Sequence, residues 1–356
     1  MTTEPQRSLR SILQDFTAPA AEALYDKRPD NVVQCHACAH QCVITPGKSG
    51  ICQVRMNKAG TLYAPHGYVE GLAIDPIEKK PYYHVAPGST ALSFGMLGCN
   101  FKCAFCQNWY TAQVLRDDRA TGEVHPVTPD QLVDLAVRRR CRCVISTYNE
   151  PLITSDWAAE IFDRAQTQGL LCGYVSNGFA TPRVLRFLRP RAQLLKIDLK
   201  TFDDANYRQL GGRLKPVLDS IVLARELGFW VEIVTLVVPQ FNDSPEQLRQ
   251  MAKFLVSVST DMPWHLTAFH PDYKMRDRSR TSPDMLRQAC EIGRQEGLHF
   301  VYAGNLPGLV DSAENTFCPN CKSLLVERLG FTVRQNRITP EGRCPRCDTS
   351  IPGLWT

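Results

Sequence analysis

The sequence predicts an α/β fold: a partial (βα)6 TIM-like barrel carrying a small cysteine-rich module at its N-terminal side and another at its C-terminal side. Three observations predict it. Between residues 90 and 311, short apolar or β-branched runs alternate with amphipathic stretches, the pattern of repeated βα units around a parallel sheet. Those units are punctuated by a hydroxyl residue and a proline where helices should start, and by a glycine where they should stop. Eleven of the fifteen cysteines fall in three clusters, one inside the repeated region and one on each side of it.

The candidate strands are 91–96, 143–147, 171–176, 194–199, 230–237 and 264–269. Helices between them should open at Thr128-Pro129, Thr181-Pro182, Ser244-Pro245 and Ser282-Pro283. There the hydroxyl accepts from an open N–H of the first turn, and proline lacks the N–H that would go unpaired. Gln131 and Gln247, three residues after Thr128 and Ser244, predict capping boxes. Gly169, Gly228 and Gly297 each precede an apolar strand and suit the left-handed residue that ends a helix. Six units are too few for a closed eight-unit barrel. Loops after the strands form the active face of such barrels, so the segment near 97–108 is placed for chemistry. Residues 1–30 read as a helical segment, 31–89 as the first cysteine module, 90–311 as the barrel, and 312–356 as a zinc-ribbon-like module.

Of 356 residues, 44% are hydrophobic and 22% charged, which excludes a disordered chain. A net charge of +5 permits an anionic partner without requiring one. The first residues carry acids and no apolar signal-peptide core, and no apolar run approaches the ~20 residues of a membrane span. The expectation is a cytoplasmic protein with no membrane contact, whose clustered cysteines bind metal rather than form disulfides. Cys141, Cys143, Cys172 and Cys290 lie in apolar or strand contexts and read as packing residues.

In Cys99-Asn-Phe-Lys-Cys103-Ala-Phe-Cys106, three thiolates can hold a four-iron cluster and leave one iron without a protein ligand. Clusters that only carry electrons and structural zinc sites take four. Polar residues recur at the strand ends: Thr147-Tyr148-Asn149-Glu150, Ser176-Asn177-Gly178, Asp198-Leu199-Lys200, Pro239 with Asn242, and Phe269-His270-Pro271 followed by Tyr273 and Lys274. Each alone reads as a turn, a cap or a structural histidine. In succession beside the three-cysteine loop, they read as the walls of one site.

Through CHACAHQCVITPGKSGICQVR, GCNFKCAFCQN, STYNEP, VSNGFATP, KIDLKTF, PWHLTAFHPDYKM, VYAGN, CPNC and CPRC, the chain resembles the radical S-adenosylmethionine (SAM) enzymes of the AmmeMemoRadiSam system. These belong to the wider pyruvate formate-lyase activating enzyme-like group. The resemblance implies that Cys99, Cys103 and Cys106 bind a [4Fe-4S] cluster whose fourth iron SAM chelates. It places Phe105, Glu150, Ser176, Asn177, Asp198, Lys200 and His270 around SAM. It further implies reductive cleavage to a 5′-deoxyadenosyl radical that takes hydrogen from a substrate, AMMECR-type and Memo-type partner proteins, and a flavodoxin or ferredoxin as electron donor. Two departures stand out: Tyr148-Asn149-Glu150 replaces the usual Gly-Gly-Glu, and Val175 replaces the Asp that glycyl-radical activases often use to hold a cation. The alternatives are such an activase and a non-catalytic zinc-ribbon protein that binds nucleic acid or acts as a scaffold.

Cys318-Pro-Asn-Cys321 and Cys344-Pro-Arg-Cys347 form two knuckles whose four thiolates suit zinc, ahead of a rubredoxin-like iron or an auxiliary cluster. Basic residues of 318–350, Arg328 among them, read as a solvated face rather than an RNA site, because no aromatic stacking pattern accompanies them. Cys35, Cys38, Cys42 and Cys52, with His36 and His40 nearby, read as a closed four-ligand set for zinc, second for a cluster that relays electrons, and last for persulfide or disulfide chemistry.

Overall fold

The computed structural model describes residues 7–355. Its main sheet contains β1 (Gly71–Pro76), β2 (Thr90–Gly95), β3 (Cys143–Ser146), β4 (Leu171–Ser176), β5 (Leu194–Asp198), β6 (Trp230–Val237), β7 (Trp264–Ala268) and β8 (Val301–Gly304), side by side in chain order. Strands β2 to β8 are parallel, and β1 runs antiparallel to β2. The crossovers carry α1 (Pro129–Arg138), α2 (Ser155–Thr167), α3 (Pro182–Leu188), α4 (Leu214–Glu226), α5 (Pro245–Val258) and α6 (Pro283–Gln295). Six βα units are therefore followed by a seventh parallel strand. The sheet is open, with β1 and β8 as its edges.

The sequence reading differs at three places. It counts six parallel strands, because the four residues of β8 are too few to show a period of their own. It places β1 in the first cysteine module, yet pairing with β2 along its whole length makes β1 part of the main sheet. It reads 1–30 as helical, whereas the described part holds one five-residue helix, Leu9–Leu13, then strands Thr17–Pro19 and Tyr25–Lys27 with two single 3-10 turns. Pro19 and Pro29 withhold the N–H groups that a longer helix needs, and the extended stretches find partners in 61–65 and 33–35 instead. Residues 1–6 lie outside the described residues.

All four predicted hydroxyl caps accept from the backbone N–H three residues on. Only Thr128 completes a capping box, with Gln131 returning a bond of 2.9 Å to its N–H. Gln247 turns its carbonyl to the Thr201 hydroxyl (2.8 Å) and the Phe202 N–H (3.3 Å), tying α5 to the loop after β5. Gly169, Gly228 and Gly297 take φ values of 70°, 83° and 107°, the left-handed conformation expected of them. No helix of the described residues is long and apolar enough to cross a membrane.

Strand alternation gives the sheet two faces. Leu92, Phe94 and Val144 pack outward against α1 and α2, where Phe94 meets Trp157 and Phe162 edge-on. Toward its N-terminal end the inner face carries an apolar plug of Tyr82, Ile77, Ala91, Cys143, Ile145 and Leu194. Arg328, expected on a solvated face, is buried instead. Its guanidinium donates to Tyr83 O (2.7 Å) and Thr316 Oγ1 (2.8 Å), fastening the C-terminal module under the sheet.

A methyl group at Gly173 on β4 would stand 2.6 Å from Leu194 Cβ and 3.0 Å from Leu194 O. Gly173→Ala should therefore lower unfolding free energy by about 1–3 kcal/mol through overpacking, measured by urea denaturation.

Candidate functional site

At the C-terminal ends of the parallel strands lies a cavity of about 480 Å³. The loop after β2 brings Cys99, Cys103, Phe105 and Cys106 to it; β3 to β5 bring Glu150, Ser176, Asn177, Asp198 and Lys200. Of the residues that the resemblance places around SAM, all but His270 line this cavity; His270 is exposed at the rim, where its Nδ1 meets Gln107 Nε2 at 3.2 Å, and of the other strand-end residues Pro239, Asn242, Tyr273 and Lys274 do not line it either. Phe105 is buried edge-on against Phe241 and walls the cysteine loop from the side.

Glu150 is held by three donors. Its Oε1 accepts from Ser176 Oγ (2.7 Å) and Leu152 N (3.0 Å), its Oε2 from Asn177 N (2.7 Å). Burial nevertheless outweighs those donors and pushes its carboxyl up to about 7. On β5, Lys196 and Asp198 are two residues apart and so face the same way. Asp198 accepts from Lys196 on one oxygen and from Lys200 on the other at 2.9 Å. Burial would raise the Asp198 carboxyl, but the two ammonium groups prevail and hold it at about 2. Burial pulls Lys196 below the ordinary lysine range. Burial likewise raises the thiols of Cys99, Cys103 and Cys106, the last to about 12, so without metal they remain protonated.

Lys196, Lys79, Lys80, Asn305 and Phe331 also line the cavity, and the sequence reading missed them. Strand alternation back from Asp198 identifies Lys196. The others arrive from the segment after β1, the end of β8 and the turn of the C-terminal hairpin, which no local pattern could place. Tyr148 has a φ of 72°, and its ring covers Gly71 and Gly95, where any added Cβ would collide with it. Its hydroxyl reaches Ser93 Oγ (3.0 Å) and Lys80 Nζ (3.4 Å). Asn149 Oδ1 accepts from Met96 N at 3.3 Å, while its Nδ2 is buried without a hydrogen-bond partner.

The cysteine sets differ in geometry. Cys318 and Cys347 approach to 3.6 Å between sulfurs, as do Cys321 and Cys344, and all four sulfurs lie within 4.8 Å of one another. Four thiolates about 2.3 Å from one tetrahedral ion stand about 3.8 Å apart, so this set can close on a single ion. Among the described residues, neither the Cys99 loop nor the set Cys35, Cys38, Cys42 and Cys52 brings three sulfurs that close. The N-terminal four thus lack the close spacing of the C-terminal four.

Glu150 gives stability a pH dependence. The folded chain keeps this proton up to about pH 7 and the unfolded chain releases it near pH 4.5, so the folded state binds more protons in between and stability falls as pH rises. In chain stripped of cofactor, wild type should lose about 3 kcal/mol relative to Glu150→Gln between roughly pH 4.5 and 8, read from urea unfolding at both pH values.

The model of the radical SAM superfamily matches residues 95–255. An uncharacterized protein of Methanocaldococcus jannaschii, MJ0808, is 37% identical over 330 residues, covering 92% of this chain and 97% of that one. Pyruvate formate-lyase-activating enzyme of Clostridium pasteurianum is 24% identical over 209 residues, 54% of this chain and 84% of that one. Among solved structures, a radical SAM methyltransferase from Sphaerobacter thermophilus aligns over 74% of this chain and 76% of its own, at 16% identity and a TM-score of 0.48. Residues 95–255 of this chain are therefore a radical SAM domain.

Proposed function

We propose that this chain cleaves SAM reductively at a [4Fe-4S] cluster held by Cys99, Cys103 and Cys106, and that hydrogen is then taken from a substrate. The observation that carries the reading is one cavity onto which three thiols, the triply held Glu150 and the Lys196–Asp198–Lys200 row all open. The radical SAM domain implies both SAM and the cluster, and the residues fit them. The thiols number three and not four, and the unpartnered Asn149 Nδ2 is a buried donor in the cavity wall. When bound, cluster and SAM together supply the electron transfer and carbon–sulfur cleavage that give methionine and the 5′-deoxyadenosyl radical.

The chain's own residues bind, orient and shield. Glu150 offers a carboxylate to the methionine ammonium, and Ser176 and Asn177 fix the direction of that carboxylate. Lys200 offers its ammonium to the methionine carboxylate, with Asp198 restraining it from behind. Phe105 and the tyrosine lid of Tyr148 keep water from the two sides of the site. Cys318, Cys321, Cys344 and Cys347 take zinc in this reading, which holds the hairpin that carries Phe331 to the cavity.

Within the superfamily, the motifs favour the AmmeMemoRadiSam enzymes, with AMMECR-type and Memo-type proteins as partners and a flavodoxin or ferredoxin as donor. The similarity to pyruvate formate-lyase-activating enzyme favours a glycyl-radical activase as second reading. Val175 weighs against it, since it lines the cavity with carbon where a cation would need oxygen. Deuterium carried from a labelled Memo-type protein, glycyl-radical protein or metabolite into 5′-deoxyadenosine would decide between them.

Anaerobically reconstituted protein should form 5′-deoxyadenosine from SAM with a strong reductant, and Cys103→Ala should abolish it; a wild type that forms none, or an active Cys103→Ala, overturns the reading. Lys200→Met should weaken SAM binding about 10- to 100-fold in equilibrium dialysis, the worth of a hydrogen bond between charged groups.

A further inference from the structure

We propose that Cys35, Cys38, Cys42 and Cys52 hold a second iron–sulfur cluster, directly behind the loop of Cys99. It rests on the functional reading above only for the nature of its neighbour. Cys35, Cys38 and Cys52 are buried and Cys42 is half-buried, all in one small module. Free thiols usually pack singly among apolar side chains, as Cys143, Cys172 and Cys290 do here. Four together form a ligand set.

Spacing then separates one ion from a cluster. Thiolates on a single ion are drawn to about 3.8 Å from each other, whereas those on different irons of a cluster stand farther apart. The C-terminal four have the first spacing. Among the described residues, no three of the N-terminal four come within 4.8 Å of one another, and in this they match Cys99, Cys103 and Cys106.

The surroundings also suit an anionic, sulfur-rich group. Arg55 is 1% exposed, and its charge acts on Cys35 and Cys52. Its Nη1 donates to Ile153 O (3.0 Å) and to Asp156, but its Nε is buried with no partner. A lone buried N–H costs free energy unless it meets an acceptor, and cluster sulfur is one. Asn100 carries a second such group. The Cys38 thiol meets its side chain, His40 Nε2 lies 3.0 Å from its carbonyl oxygen, and its Nδ2 is likewise buried without a partner. Gly98 packs so closely on this module that a Cβ would stand 2.9 Å from Cys52 O. Cys99 follows Gly98 and precedes Asn100, so the two centres are immediate neighbours.

The test measures iron, zinc and acid-labile sulfide, with Mössbauer spectra, on full-length chain purified anaerobically. The Cys99→Ala/Cys103→Ala/Cys106→Ala variant leaves the N-terminal set untouched; it should keep at least two irons with matching sulfide, less than wild type, and the zinc of wild type. A folded triple variant with no iron and sulfide, whether it carries extra zinc or none, overturns the proposal. Cys35→Ser/Cys38→Ser should lose iron while keeping the Cys99 cluster; retention of all wild-type iron overturns it as well. A triple variant with undiminished iron instead sinks the assignment of the Cys99 loop and leaves this one standing.

Discussion

Glu232 lies fully buried on the inner face of β6, and four donors converge on its carboxylate: Tyr83 N and His84 N at 3.0 Å, Trp230 Nε1 at 2.9 Å and His265 Nε2 at 2.6 Å. Burial opposes its charge, but His265 and the other donors hold its carboxyl below the usual carboxylate range. A charge this deep is tolerated only when its acceptor sites are filled, so the segment 82–84 is obliged to pass under the sheet. From there His84 reaches Tyr302 and Pro352 O, each at 2.6 Å, and the C-terminal module is drawn to the same floor. The height of the cavity floor, the position of Lys80 and the docking of the hairpin that bears Phe331 all follow from that buried charge.

Above the floor, β5 presents Lys196 and Asp198 to the cavity, while β4 and β6 bring Val175, Val234 and Leu236. Lys196, directly opposite Glu232 on the neighbouring strand, turns its charge to Asp198. Asp198 in turn restrains Lys200, and across the cavity Glu150 is restrained by Ser176 and Asn177. These groups are fixed by one another before any ligand arrives, so little side-chain freedom remains to be lost on binding. The open edges of the sheet are part of the same design: with no closing pair between β8 and β1, residues from the segment after β1 and from the C-terminal hairpin complete the wall.

The cysteine loop, the capping residues and the polar strand ends were legible because each is a local pattern with a local cause. Thr128 caps α1 and Asp198 ends β5 whatever lies elsewhere in the chain. Gln247 was misjudged for the opposite reason. Its spacing from Ser244 fits a capping box, but the Thr201 hydroxyl and Phe202 N–H compete for the same oxygen and come from another loop. His270 shows the limit of strand-end reasoning, since two residues past β7 the chain has already turned outward to Gln107. Arg328 looked like one more surface charge, and only the hairpin's docking made its buried partners visible.

The sequence by itself determined the order of βα units, the three-cysteine loop and the polar residues at the strand ends, because periodicity, capping and ligand spacing act over a few neighbouring residues. The tertiary structure decided which of those residues share a cavity, that β1 joins the main sheet, and that two four-cysteine sets of similar appearance differ in spacing. Those outcomes depend on hydrogen-bond partners, burial and sulfur-to-sulfur distances between segments far apart in the chain, and such quantities exist only once the backbone has closed around them.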